Sequence, residues 1–195
     1  MCIRDRSILV ADKISYKINE IRLFHNLTFS LKEGSALHIC GENGSGKSTL
    51  IRIILGLTQQ TKGTIKHCTK NKISYLGHKN ALKSYLTLEE NLLLMELNNM
   101  KGLKKYVEIL DLKKFLDVRV ANLSFGQQKK LALLRVFLNN SNLLILDEPF
   151  VGLDKSTQNL LSSFLNNELT QKKALIYTSH IECDLNSEIL NLNSN

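Results

Sequence analysis

The stretch "GENGSGKST" at residues 41–49 has the pattern G-x-x-x-x-G-K-[ST]. Residues of these types at this spacing bind the phosphates of a nucleotide. Glycines let successive backbone N–H groups turn inward around phosphate oxygens. A helix that begins at the loop adds the positive end of its dipole. On this reading Gly41, Asn43, Gly44, Ser45 and Gly46 form the cradle, and Lys47 reaches the β- and γ-phosphates. Ser48 offers a hydroxyl to Mg²⁺, and Thr49 extends toward the α-phosphate. The other reading, a glycine-rich turn without a ligand, leaves unexplained why the loop joins an apolar strand pattern to an apolar helix pattern.

Hydrolysis would need carboxylates, and "LLILDEP" at residues 143–149 supplies two. Four apolar residues followed by adjacent acids can be a strand that ends at a solvated turn. Beside a phosphate loop, the same run reads as a Walker B element. Asp147 would then hold Mg²⁺, usually through water, and Glu148 would act as general base or orient the attacking water. Pro149 is the only proline in the chain, so φ is locked just after Glu148. "ALIYTSH" ends at His180, 33 residues after Asp147 and across one helix pattern. That spacing predicts a strand beside the first in a parallel sheet. His180 is then either structural or, with Glu148 and Lys47, part of the catalytic group facing the γ-phosphate.

A third candidate is His78 in "ISYLGHKNALK". A histidine after a glycine at a strand end reads as a ligand, a base or an ordinary loop residue, and nothing local decides among these.

The elements that must carry these residues follow from periodicity. Residues 8–31 read as two β segments, residues 33–40 as a strand led in by a turn, and "LIRIILGL" as a helix that ends at Gly56. "KGTIKH" and "NKISYLG" read as short strands. Thr87 caps a helix over "LEENLLLMELNN", and "KKYVEILDL" and "FGQQKKLALLRVFLNN" are further helices. A helix entered from Asp154, the strand "KALIYTSH" and a final strand in "SEILNLN" complete the order. The expected class is α/β, one domain over residues 8–195 with a helical subdomain at about 80–140. The opening "MCIRDRS" at residues 1–7 reads as a non-native scar.

Composition narrows the partners. The 195 residues are 43% hydrophobic and 23% charged, as in ordinary globular chains. No apolar run approaches the roughly 18 residues that span a bilayer. The net charge of +8 is spread along the chain in short runs such as "QQKK", which argues against a nucleic-acid surface. Cysteines at 2, 40, 68 and 183 have no C-x-x-C spacing, which fits a reducing compartment.

"NLSFGQQKK" opens a helix pattern, with Ser124 lying 23 residues before Asp147. With it the chain resembles an ABC-type ATPase from residue 8 onward: "LSFGQ" (residues 123–127) is similar to the LSGGQ signature and "GLD" to the D-loop. The resemblance implies the P-loop ATPase fold of that family, with an antiparallel β subdomain and a helical subdomain. It also implies two cassettes meeting head to tail as a homodimer. Ser124, Gly126 and Gln127 of one copy would then face the ATP held by Lys47 of the other. A helix N-terminus at Ser124 suits an anion. Tyr16, 25 residues before Gly41, would stack on adenine; it also reads as an exposed strand tyrosine.

Where the family has a glutamine after the strand "ISYL", this chain has His78. There it would touch nucleotide water or the metal. "YLGHKNALK", "LSFGQQKK" and "LDEPF" together resemble the CcmA branch, the ATPases of the haem exporter of cytochrome c maturation. Phe125, where that branch usually has alanine, is a departure. The branch implies CcmB-like and CcmC-like integral membrane subunits, no nucleic acid, haem only indirectly, and a peripheral place on the cytoplasmic face of a bacterial inner membrane, or the matrix side in an organelle. The alternatives are the ATPase of another ABC transporter or a soluble ABC-type ATPase of translation or DNA repair. The latter have tandem cassettes or long coiled-coil insertions, and this chain has one phosphate loop and no sustained heptads. A non-hydrolysing binding module would not need Lys47, Asp147, Glu148 and His180 together. A GTPase would need N-K-x-D, and "NKIS" lacks the Asp.

Overall fold

Leu143–Asp147 (β6) and Ala174–Thr178 (β7) have no exposed position. A strand buried on both faces belongs inside a parallel sheet covered on both sides. In the computed structural model, which describes residues 7–68, 72–138 and 140–192, the two strands pair in parallel with Asp147 opposite Thr178. Ala36–Cys40 (β3) lies next to β7. Ile73–Leu76 (β5) and Glu188–Asn191 (β8) form the edges, giving the order β5-β6-β7-β3-β8.

Alternate residues of β6 enter two different cores. Leu143 and Ile145 pack with Leu50, Ile51 and Ile54 of the helix Lys47–Ile54 (α1). Leu144 and Leu146 pack with the helical segment that follows β5. The α1 core also takes in Leu9, Ile14 and Phe24 of a three-stranded antiparallel sheet. That sheet consists of Ser7–Ile18 (β1), Ile21–Lys32 (β2) and Lys62–His67 (β4), in the order β2-β1-β4. The first six residues of the expected scar lie outside the described residues; Ser7 already opens β1, opposite Lys32.

The helical segment contains Leu88–Leu94 (α2), Leu103–Ile109 (α3), two short 3₁₀ turns and Phe125–Phe137 (α4). Thr87 caps α2 with a full capping box: its hydroxyl accepts from Glu90 N, and Glu90 Oε2 accepts from Thr87 N. The helix is shorter than its apolar pattern suggests. Glu96 takes φ +57, and the Leu97 N–H closes back on Leu92 O, which turns Leu97 into the core. Lys155–Thr170 (α5) starts at Asp154, whose carboxylate accepts from Thr157 N at 2.8 Å. Among the described residues, no helix is long and apolar enough to cross a membrane.

Candidate functional site

The phosphate-type loop runs from the end of β3 into α1. Gly46 is its last residue and takes φ +98; a Cβ there would stand 3.1 Å from the Phe24 ring and 3.2 Å from Leu23 Cβ. Only glycine lets β2 close this tightly on the loop. Lys47 curls back over the loop, and its Nζ donates to Gly41 O at 2.7 Å and Glu42 O at 3.0 Å. Ser45 is buried, and its Oγ has no hydrogen-bond partner among the described residues. A buried hydroxyl of this kind points to a missing partner, and a phosphate oxygen fits.

Ser48, on the first turn of α1, faces the end of β6. Its Oγ donates to Asp147 Oδ2 at 2.8 Å. Asp147 Oδ1 accepts from Thr178 Oγ1 at 2.7 Å, and that same Thr178 oxygen accepts from Glu148 N at 2.9 Å. Thr178 thus sets the positions of both acids, a role that sequence reasoning missed. The register Asp147 opposite Thr178 was its only signal. Thr178→Val keeps the shape but leaves Asp147 Oδ1 and Glu148 N without this partner. It is predicted to cost about 1–3 kcal/mol. Denaturant unfolding checks this, and a change within about 0.5 kcal/mol, the range of an ordinary surface substitution, would remove Thr178 from its role as hub.

Glu148 is nearly buried and has φ +51. Pro149 disfavours the right-handed helical region at the residue before it, and left-handed backbone at a glutamate costs on the order of 1–3 kcal/mol. Its Oε2 accepts from the backbone N–H of His180 at 3.3 Å. Its Oε1 is buried and without a hydrogen bond among the described residues, with His180 Nε2 at 3.4 Å. An acceptor held this way is positioned to take a proton from water.

Lys129, of the short basic run "QQKK", is buried on α4, at 1% exposure. Burial pushes its ammonium below the ordinary lysine range, while the nearby Asp147 and Glu148 charges pull it back up. The charge of this buried lysine is thus coupled to both carboxylates.

A cavity of about 610 Å³ brings Asn43, Gly44, Gly46 and Lys47 of the loop together with Ser48 and Thr49. Asp147, Glu148, His180 and His78 complete its polar wall. His78 also lines an adjoining cavity of about 550 Å³ with Tyr75, Arg52 and Arg135. The histidine that local sequence left undecided therefore stands where the two cavities meet.

Tyr16 is not brought to this site. Its ring stacks on Phe24, with centroids 6.1 Å apart, and it borders a separate cavity with Lys17 and Lys62. The physical cause is a bulge. Tyr16 faces Phe24 and Lys17 faces Arg22, so Leu23 is an extra residue on β2. Leu23 and Ile18 line the loop cavity instead, and the apolar wall is aliphatic. Ser124, Gly126 and Gln127 also lie outside the cavity. They form the capped start of α4, where Ser124 Oγ accepts from Gln127 N at 3.3 Å and Ser124 N donates to Gln127 Oε1 at 2.8 Å.

Two hard oxygens, Ser48 Oγ and Asp147 Oδ2, lie side by side, which suits Mg²⁺. The imidazole of His78 suits this ion less well than water or phosphate. Among the described residues, no three His, Cys, Asp or Glu side chains converge as a metal site. A cation here would therefore draw its remaining ligands from a nucleotide and water.

A model of the ABC transporter family matches residues 24–151. The protein named cytochrome c biogenesis ATP-binding export protein CcmA from Wolbachia pipientis wMel is 33% identical over 185 residues, 89% of each chain. Its namesake from Gluconobacter oxydans (strain 621H) is 36% identical over 161 residues, 83% of this chain and 75% of its own. Among solved structures, an ATP-binding subunit of an ABC transporter superposes with a TM-score of 0.78 at 26% identity, covering 89% of this chain and 80% of its own. A bacterial ABC transporter cassette solved as a dimer superposes at 0.77 and 25%, covering 95% and 94%. The motifs thus keep their order and the fold keeps its shape over most of the chain, and the protein belongs to the ABC transporter family as one of its ATP-hydrolysing subunits.

Proposed function

We propose that this chain powers a membrane assembly of cytochrome c maturation, in haem export or the release of a haem chaperone. One observation carries this reading: relatives named CcmA match the chain over most of both lengths. The placing of His78 beside the loop supports it further. We read residues 8–195 as one cassette with a helical subdomain near 80–140. Two copies would close head to tail on two ATP. The bilayer would be crossed by CcmB-like and CcmC-like subunits, with this chain on the cytoplasmic face of the membrane, or the matrix side in an organelle.

In this reading the Lys47 ammonium leaves its two loop carbonyls for the phosphates, and Ser45 Oγ gains the partner it lacks. Ile18 and Leu23 cover the base. Ser48 and Asp147 would hold Mg²⁺, which when bound neutralises charge on the phosphates. Glu148 Oε1 takes the proton of the attacking water, and His180 holds that water against the γ-phosphate. His78 hydrogen-bonds water at the edge of the site, and its position between the two cavities links nucleotide state to the helical segment. Ser124, Gly126 and Gln127 at the start of α4 contribute to the ATP of the second copy. ATP-driven closure of the pair moves the membrane subunits.

The test is complementation. In a bacterium deleted for its own haem-exporter ATPase, this chain with its genomically adjacent membrane subunits is expected to restore covalent haem attachment to cytochrome c. The Glu148→Gln variant is expected not to. A wild-type chain that assembles with those subunits and hydrolyses ATP, yet restores no holocytochrome, would reassign it to another transporter.

A further inference from the structure

Phe125 occupies a position where the resembling motifs carry a small residue, and the structure shows where its bulk goes. It is the first residue of α4 and is 53% exposed. One side of its ring lies on Gly152, in the turn that follows Glu148. A Cβ added to Gly152 would stand 2.3 Å from Phe125 Cε1 and 2.4 Å from Cδ1. Gly152 also has φ +79, so this position rejects a side chain for two independent reasons.

Two neighbouring contacts join the same segments. Gly126 sits so close that a Cβ there would stand 2.8 Å from Gly152 O. Two residues beyond Gly152, the Asp154 carboxylate pairs with Lys130 Nζ of α4 at 2.7 Å. Residues 152–154 are thus held against the first two turns of α4 by a ring, a backbone approach and an ion pair. An ion pair whose carboxylate is half exposed to solvent contributes little on its own. The ring on glycine is the contact of this group that depends on shape, through dispersion and excluded water.

We infer that Phe125 is a positioning residue whose ring clips the turn after Glu148 to the start of α4, so that Ser124 and Glu148 shift as one body. The consequence for activity rests on the reading of Glu148 as the group that activates water; the clip itself does not. With the clip in place, any displacement of the α4 N-terminus by a second copy is carried through four residues of turn to Glu148 of the same chain. Without it the turn moves independently, and the carboxylate loses the alignment on which proton transfer depends.

Two measurements on the full chain test this. The first is amide hydrogen exchange without nucleotide. Phe125→Ala is expected to speed exchange over residues 150–154, while Phe125→Tyr, which keeps the ring, is expected to leave it unchanged. The second is steady-state ATP hydrolysis. Phe125→Ala is expected to lower kcat about tenfold with KM for ATP within about twofold, and Phe125→Tyr to restore kcat. Gly152→Ala forces the ring away and is expected to lower kcat as well; combined with Phe125→Ala it should cost less than the product of the two separate effects. Unchanged exchange over residues 150–154 in Phe125→Ala would overturn the clip. A loss confined to KM would also overturn it, placing the ring's role on the nucleotide of a second copy. If exchange speeds up but kcat stays at the wild-type value, the clip exists and does not position Glu148. A Glu148→Gln chain that still hydrolyses ATP would instead remove the reading of the base and leave the exchange result standing.

Discussion

Glu148→Gln is expected to reduce ATP turnover by at least about a hundredfold, because a positioned general base contributes roughly 10²–10⁴ to rate. The substitution is nearly isosteric. A glutamine oxygen can still accept from the His180 N–H, which holds Glu148 Oε2 at 3.3 Å, and glutamine tolerates the φ of +51 no worse than glutamate. What disappears is the negative oxygen at Oε1, buried and without a hydrogen-bond partner among the described residues. The chain should therefore fold and bind ATP normally, and the closed pair should accumulate because hydrolysis no longer reopens it. Phosphate release measured alongside binding of a fluorescent ATP analogue checks both halves. Turnover within about threefold of wild type, far short of a general base's contribution, would mean that Glu148 is not the base.

Lys47→Ala should fail one step earlier. Its ammonium is held by two loop carbonyls, Gly41 O and Glu42 O, and so is stored at the mouth of the cradle. Charge-assisted hydrogen bonds contribute about 1.5–3 kcal/mol each, so losing those to the phosphates should weaken ATP binding by roughly 10- to 100-fold. The midpoint of unfolding should hardly move, because the two carbonyls the ammonium leaves can bind water. Titration calorimetry with ATP separates the two variants: Lys47→Ala loses affinity, Glu148→Gln keeps it. An unchanged affinity in Lys47→Ala would show that the curled geometry persists with nucleotide and that the backbone N–H groups alone hold the phosphates.

Much of this was legible in the chain. Residues 41–49 are contiguous, so their pattern and the strand and helix around them appear together in sequence. The acids Asp147 and Glu148 end a short apolar run, followed by proline, that reads as a buried strand. The caps at Thr87, Ser124 and Asp154 are hydrogen bonds between residues three apart, and so they too are local. Tyr16 was misplaced because its spacing from Gly41 cannot register the one-residue bulge at Leu23, which presents an aliphatic wall where spacing suggested an aromatic one.

The sequence by itself determined the elements, their order and the contiguous runs that carry the loop and the two acids, because each depends on residues near one another in the chain. Only the tertiary structure decided what stands around them. Thr178 joins Asp147 to Glu148 across 30 residues, and Lys129 of the basic run "QQKK" is buried and coupled electrostatically to both. Phe125 lies on Gly152, and His78 borders both cavities. Each of these depends on which strands pair and which helix face is buried. Those choices are made by the packing of the whole core, and no local pattern encodes them.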